Sequence, residues 1–556
     1  MSGRVDDTAT GSSDAGLFDA ATLQILWGRL ISAVDEASAA LVRTAFSSVV
    51  RESYDFACVV TDARGHLVAQ ATQSIPSFIG TLPRTVRWFQ ELYPAEKLTP
   101  GDVLISNDPW HGTGHLPDIN VVKPIFLGER LVGFAASTAH APDIGGRTGS
   151  LEMRDIYEEG FQIPPMKLIT GGKVNQSLVA LLRANVRAPD DVVGDLWAQI
   201  TGLDIIEQRT LSLMEEYGFA ELTALADEIH DRSEAAMRAA IAKAPRGTWR
   251  YAVTADGGPV PIEIRIAVSF TGEEVVIDFE GSSAEVAGMN MNAVYAYTYA
   301  YTSYGVKCIL APDLPNNDGV WRPIVIKAPE GSVLNHRFPI AGYSRHMVGH
   351  YLPLSVLAAL AEALPDRVMA PSGTPVWNVK VSGVDDAGRS FASLLFFNGG
   401  MGANAKRDGE SVLSWPSNIS GVPVEYMERS TPWRIRYKRY AEGSGGAGEQ
   451  RGGLGQELMF ESRSERPLNL HFSAGRSSID PEGICGGGPG RRGELRINGA
   501  APLDPSKPYR LHNGDTLYLR TPGGGGFGDP ARRAAERTEA DRTEGYTVSE
   551  GAANGT

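Results

Sequence analysis

The sequence predicts an α+β, multi-domain protein of mixed helices and mainly antiparallel sheets, with a β-rich C-terminal part. Three observations carry that expectation. Apolar residues recur at helical spacing in two long segments, 19–41 and 190–217. Two turn signals, Gly128-Glu129 and Thr271-Gly272, sit between apolar runs and mark antiparallel hairpins. Past residue 453, four short strand patterns (E-L-M-F-E, L-N-L-H-F, E-L-R-I and T-L-Y-L-R) follow one another, each bounded by turn residues.

The elements follow in order. Residues 1–16 are polar and rich in Ser, Gly and Asp, and are expected to be a disordered tail. Asp19 is a helix N-cap, after which Leu23, Leu26, Trp27, Leu30, Val34, Ala37 and Leu41 keep one face apolar. A strand is expected at 56–61 and another at V-L-I, 103–105, broken by Asn107-Asp108-Pro109. Ile119 to Leu127, interrupted by Pro124, and Leu131 to Ala139 are the arms of the first hairpin. The helix at 190–217 sets Leu196, Ile200, Leu203, Ile206, Leu213 and Tyr217 near one face and stops at Gly218. A further helix near 220–243 is closed by Pro245, and 17–246 forms an N-terminal α+β domain. A central α+β domain, 247–440, opens with strands at 262–268 and 274–279. It continues with buried helices at 293–311 and Leu352 to Leu364. The Gly-rich stretch 440–453 reads as a surface loop before a β-rich C-terminal domain, 441–530. Residues 531–556 read as a disordered tail that admits a short helix at 531–541.

Chemistry concentrates at the open end of the first hairpin. S-N-D-P-W-H-G-T-G-H-L-P-D at 106–118 and A-H-A-P-D-I-G-G at 139–146 hold metal-ligand side chains. With the turn centred on Gly128-Glu129, paired residue numbers sum to about 257, which sets Asp118 across from Ala139, next to His140. Antiparallel neighbours lie roughly 4.5–5.5 Å apart, so His115, Asp118 and His140 can converge on one ion. The competing reading is a core histidine bonded to an aspartate. Gly and Pro crowding at both clusters favours backbone shaped around a site. Mixed nitrogen and oxygen ligands suit Mn, Fe or Zn better than Mg or Ca. His346 and His350, four apart, read as a polar helix start in preference to a substrate-facing pair.

Composition narrows the classes. Lys and Arg number 52 against 66 Asp and Glu, a net charge of −14, which argues against a nucleic-acid partner. Three cysteines, Cys58, Cys308 and Cys485, are too few and scattered for a disulfide framework. No apolar run reaches the ~18 residues of a membrane span, and the first ten residues lack a signal core. A cytoplasmic enzyme subunit is the expectation. Gly488-Gly490-Gly493 and Gly523-Gly525-Gly528 match G-x-G-x-x-G, but neither has the strand, helix and second strand that a dinucleotide needs. The Gly523–Gly526 run reads instead as positive φ or close backbone packing.

An ordered set of motifs runs through about 500 residues. It comprises R-E-S-Y-D-F-A-C at 51–58, the two clusters above, I-Y-E-E-G-F-Q-I-P-P at 156–165 and A-N-V-R-A-P at 184–189. P-S-N-I-S-G-V-P-V-E at 416–425, R-G-G-L-G-Q at 451–456 and T-P-G-G-G-G-F-G-D-P at 521–530 complete it. The set resembles the hydantoinase B/oxoprolinase family, which includes the large subunits of acetone and acetophenone carboxylases. The resemblance implies a divalent metal held by Glu52, His115, Asp118 and His140. It leaves Asp143 as a candidate general base, and Asp108 with it as a carboxylate orienting the ligand imidazoles. Many relatives carry a second His after the equivalent of His140; Ala141 stands there in this chain. The resemblance further implies a hetero-oligomer in which a hydantoinase A-like partner spends ATP to phosphorylate a cyclic amide carbonyl. The ring is then hydrolysed at this subunit's metal site. The alternative is carboxylation of a phosphorylated ketone, and this chain is short for the acetone carboxylase large subunit.

Overall fold

The computed structural model describes residues 18–147, 149–385, 388–413 and 415–547. The expected tail at 1–16 and the end of the one at 531–556 lie outside them. The first helix, Ala20–Thr44, starts where Asp19 accepts hydrogen bonds from the N–H groups of Ala21 and Thr22. Its seven expected apolar residues are all buried. It packs against the helix Pro189–Tyr217, and both lie on one sheet. Gly218, at φ 70°, stops the second helix. Tyr217 departs from the expected apolar face and is 40% exposed, because it sits at the helix end beyond the sheet-facing residues.

That sheet has strands β1 (Phe56–Asp62), β2 (Leu67–Gln70), β3 (Val103–Ser106), β4 (Asp118–Leu127), β5 (Arg130–His140), β6 (Met166–Thr170) and β7 (Lys173–Val174), in the order β2-β1-β5-β4-β3-β6-β7. Every pairing in it is antiparallel. Pro124 is tolerated because β3 pairs β4 only at residues 120–122, leaving no ladder partner for the missing N–H. A second sheet holds β8 (Gly247–Ala255), β9 (Ile262–Phe270), β10 (Val275–Asp278) and β11 (Ile324–Lys327). Its β10–β11 pair is parallel. The helices Tyr295–Leu310 and Tyr351–Ala359 pack beside it. The second of these is shorter than expected: the chain turns before Pro365, whose ring disfavours helical backbone in the preceding residue.

The remaining strands are β12 (Trp377–Val384), β13 (Ser390–Phe397), β14 (Trp433–Tyr440), β15 (Gln456–Ser462), β16 (Leu468–Ser473), β17 (Glu494–Ile497), β18 (Tyr509–Leu511) and β19 (Thr516–Arg520). They form the sheets β13-β12-β16-β18 and β14-β15-β19-β17, which share one apolar cluster. Val376, Leu394, Phe396 and Ile419 also join an apolar cluster with Val49, Ala57, Leu104 and Phe134. The third sheet is thus sealed onto the first, and the site described below lies at that seam.

The Gly-rich stretch 440–453, expected as a surface loop, is largely buried. It threads between glycine segments at 399–402, 483–490 and 523–528. Gly446 N–H donates to the Gly524 carbonyl, Gly524 to Gly453, Gly453 to Met401 and Gly526 to Gly488. A Cβ on Gly400 or Gly524 would fall on the backbone of Gly453 or Met401. Buried backbone is stable only when its polar groups are paired, and here bare chains pair with one another. Of the two readings of Gly523–Gly526, close packing holds, since none of the four has positive φ. The helix Ala535–Thr543 closes the described chain, with buried Asp541 paired to Arg451 and Arg533. Among the described residues no helix is long and apolar enough to cross a membrane.

Candidate metal centre

The hairpin brings the expected ligands closer than simple turn counting did. Residue numbers sum to 257 at Leu127↔Arg130 and Phe126↔Leu131, then to 258 from Ile125↔Gly133 onward. Val132 is the extra residue of a β-bulge. Asp118, first in β4, therefore stands directly opposite His140, last in β5. His115 is placed by the loop before β4. Asn107 Nδ2 holds the Leu116 carbonyl at 2.8 Å, and Leu116 N–H donates to Glu159 Oε1 at 2.6 Å.

His115 Nδ1 lies 3.0 Å from the Tyr343 carbonyl oxygen. A carbonyl only accepts, so Nδ1 carries the proton and Nε2 presents a lone pair. That Nε2 is buried and has no hydrogen-bond partner, although it is 2.8 Å from Asp118 Oδ1. With the proton on Nδ1, Nε2 has no hydrogen to donate across that distance. His140 Nδ1 lies 3.0 Å from the same oxygen. One ligand atom from each of the three residues falls within 4.8 Å of the others. Burial and the Arg345 charge push the His115 pKa down to about 3, so an imidazolium proton does not separate the lone pair from the carboxylate. A divalent cation held between them fits this donor set.

The other oxygen of Asp118 accepts from Arg345 Nη2 at 2.6 Å and from Thr113 Oγ1. Arg345 is itself pinned by Nε donating to the Thr113 carbonyl at 2.6 Å, and its guanidinium lies over the Tyr297 ring. Burial opposes ionisation of Asp118, but the Arg345 guanidinium and the hydrogen bond from His140 favour the carboxylate and hold the carboxyl well below the usual range.

A fourth side chain, the carboxylate of Asp55, reaches the cluster, its Oδ2 being 3.9 Å from His140 Nδ1. Burial pushes its pKa up to about 6. Asp55 is placed by Tyr54, which takes left-handed backbone at φ 59° between the short helix Ser48–Arg51 and β1. Such a conformation costs about 1–3 kcal/mol and is typical of positions that shape a site.

The structure does not bring Glu52 to the cluster. It caps the helix Ser48–Arg51 and pairs with Arg51 at 3.3 Å. Asp143 is buried but taken by Arg187, through its backbone N–H and its Nη1 at 2.7 Å. Asp108 bonds His111 Nδ1 at 2.9 Å. Glu52, Asp108 and Asp143 line no part of the cavity beside the cluster.

That cavity, about 50 Å³, is lined by Asp55, His115, Asp118 and His140, and also by Tyr343, His346, His350 and Lys380. His346 and His350, expected as a polar helix start, are both buried in this lining. His350 is fixed between the Tyr301 hydroxyl at 2.9 Å and Val376 N–H at 3.3 Å. Sequence reasoning missed Asp55, Arg345 and Lys380. Asp55 stood inside the R-E-S-Y-D-F motif; Arg345 and Lys380 carried no local signal, since only tertiary packing brings them to the hairpin.

Residues 19–530 match the family model described as hydantoinase B/oxoprolinase. The chain is 32% identical to an uncharacterized protein of Methanocaldococcus jannaschii, covering 93% of this chain and 92% of the relative. It is 30% identical to a putative D-/L-hydantoinase subunit of Pseudomonas sp. (strain NS671), covering 97% and 95%. It is also 30% identical to 5-oxoprolinase 1 of Arabidopsis thaliana, of which it spans only 42%. Among solved structures it is similar to the ATP-dependent caprolactamase of Pseudomonas jessenii, with TM-score 0.87, 26% identity and coverage of 97% and 96%. A nucleotide-free acetone carboxylase shares the fold, with TM-score 0.85 at 20% identity, over 95% of this chain and 78% of that one.

Proposed function

The chain belongs to the hydantoinase B/oxoprolinase family, and on that premise we propose that it is the metal-site subunit of an ATP-dependent cyclic amide hydrolase. Its substrate is a ring amide whose carbonyl oxygen a hydantoinase A-like ATP-binding partner has phosphorylated. The observation that carries this reading is the buried, unpartnered Nε2 of His115 facing Asp118 and His140. His115, Asp118, His140 and Asp55 would hold the ion, Mn, Fe or Zn, which lowers the pKa of water toward neutrality. Asp55 takes the ligand role expected of Glu52. Tyr343 fixes the His115 tautomer, and Arg345 with Thr113 fixes the Asp118 rotamer, so the donors are set before the ion arrives. Val376, Leu394, Phe396 and Ile419 line the cavity and keep bulk water from an activated carbonyl. Relatives described as a hydantoinase subunit and a 5-oxoprolinase, and a neighbour described as a caprolactamase, support ring opening over carboxylation.

The test has two parts. Elemental analysis of the wild type and His140→Ala should show near-stoichiometric Mn, Fe or Zn that the variant loses while staying folded. With the ATP-binding partner and ATP in carbonate-free buffer, the complex should open hydantoin, 5-oxoproline or caprolactam. Strict dependence on bicarbonate would replace this reading with carboxylation.

A further inference from the structure

The cavity beside the metal cluster is also lined by a buried lysine whose amine has no partner. Lys380 projects from β12 and is 8% exposed. Its ammonium has no hydrogen-bond partner, and among the described residues no carboxylate lies within ion-pair distance of it. Its neighbour is the face of the Tyr343 ring, 3.9 Å from Nζ. Glu159, the carboxylate whose charge reaches Lys380, accepts from the N–H groups of Leu116 and Gly342 instead. In the same lining His346, 9% exposed, also presents an unpartnered Nε2. Burial disfavours the charged form of the Lys380 amine, pushing its pKa down to about 7, and an unmade buried hydrogen bond is unfavourable as well. Two such groups lining one cavity are a cost that a bound anion removes. The cavity of about 50 Å³ has room for roughly three to five water-sized atoms, the scale of a four-oxygen anion.

We infer that Lys380 and His346 form an anion subsite in the cavity beside the metal cluster, which takes the phosphoryl oxygens of the activated substrate, then those of the acyl phosphate left when water adds to the carbon and the C–N bond breaks, and last the inorganic phosphate that a second water releases. The identity of the phosphorylated substrate rests on the reading in the previous section; the anion site does not. Such a subsite would orient the carbon that bears the phosphoryl-substituted oxygen toward His115, Asp118 and His140. It also stabilises the departing phosphate with charge-assisted hydrogen bonds.

Inorganic phosphate is the probe, titrated calorimetrically into the full-length chain with and without Mn. The wild type should bind it, and Lys380→Met should weaken binding at least about tenfold with metal content unchanged. His346→Gln should weaken it by a smaller factor. Equal affinity in Lys380→Met, or no binding by the wild type, overturns the inference. Where Lys380→Met does not fold, unchanged affinity in His346→Gln overturns it. Binding lost in His115→Ala but kept in Lys380→Met assigns phosphate to the metal alone and also overturns it, and bicarbonate outcompeting phosphate assigns the subsite to carboxylation. Phosphate binding that depends on Lys380, in a complex that opens no cyclic amide with ATP, would sink the hydrolase reading and leave the subsite standing.

Discussion

Arg345 holds the ligand set in register, and its loss separates structure from metal chemistry. Arg345→Ala strips a buried carboxylate of its partner, which costs about 3–5 kcal/mol. Thermal unfolding should show a large drop, whereas Arg130→Ala, at an exposed pair with Glu221, should cost no more than about 1 kcal/mol. The fourth ligand is a cleaner contest. Asp55→Asn should cut metal occupancy at least about tenfold, and Glu52→Gln should leave it intact; elemental analysis of the two variants decides, and the reverse result restores Glu52. His115, Asp118 and His140 were legible because a two-residue turn fixes what its arms place together. Asp55 was not, because its position depends on a left-handed residue, Tyr54, that no local rule demands. Asp108 and Asp143 lie off the cavity for a related reason. A carboxylate near a ligand in sequence is as readily claimed by a neighbouring N–H or guanidinium, here those of His111 and Arg187.

At the level of elements, periodicity read well and glycine did not. The first helix, its cap and the hairpin turns follow from local spacing, and the four C-terminal strands stand where alternation put them. The hairpin register was misjudged by one residue, because a bulge at Val132 leaves no mark in the sequence. In the glycine layer the error was of kind: a stretch without side chains has no hydrophobic signal, whether it lies in water or in the core. Its packing predicts sharply unequal costs for one substitution type. Gly402→Ala sets a methyl on the Ala370 carbonyl and should lower the melting temperature steeply or abolish folding. Gly421→Ala meets nothing within 4 Å and should change stability by less than about 1 kcal/mol. Similar melting temperatures for the two would refute the layer's packing.

For the molecule as a whole, burial of neutral imidazoles sets the response to acid. His230, His336, His346, His350 and His471 all have pKa values lowered chiefly by burial, to about 4 for His336 and His471 and about 3 for His350. Below pH ~6.5 the unfolded chain takes up protons that the folded chain refuses, so stability falls as pH drops, by about 1–2 kcal/mol per buried imidazole at pH 5. Glu159 and Asp55, raised by burial to about 7 and about 6, act in the opposite sense and lose stability as pH rises through those values. His115 adds a sixth neutral imidazole, and Asp191, Asp195 and Asp318 are further carboxyls raised by burial. The imidazoles outweigh the carboxyls, so chelator-treated protein should melt lower at pH 5 than at pH 7.5; a flat or rising profile contradicts this. No sequence window could show that balance, since the burial of each group depends on tertiary packing; Asp55, His346, His350 and Lys380, far apart in sequence, line one cavity. The glycine layer carries a different consequence, in the gene. Every missense change in a glycine codon adds at least one carbon, and at Gly400, Gly402, Gly453 and Gly524 that carbon lands on another strand's backbone. Coding drift should therefore halt there, far along the chain from the proposed ligands, as firmly as at the histidines of the candidate site.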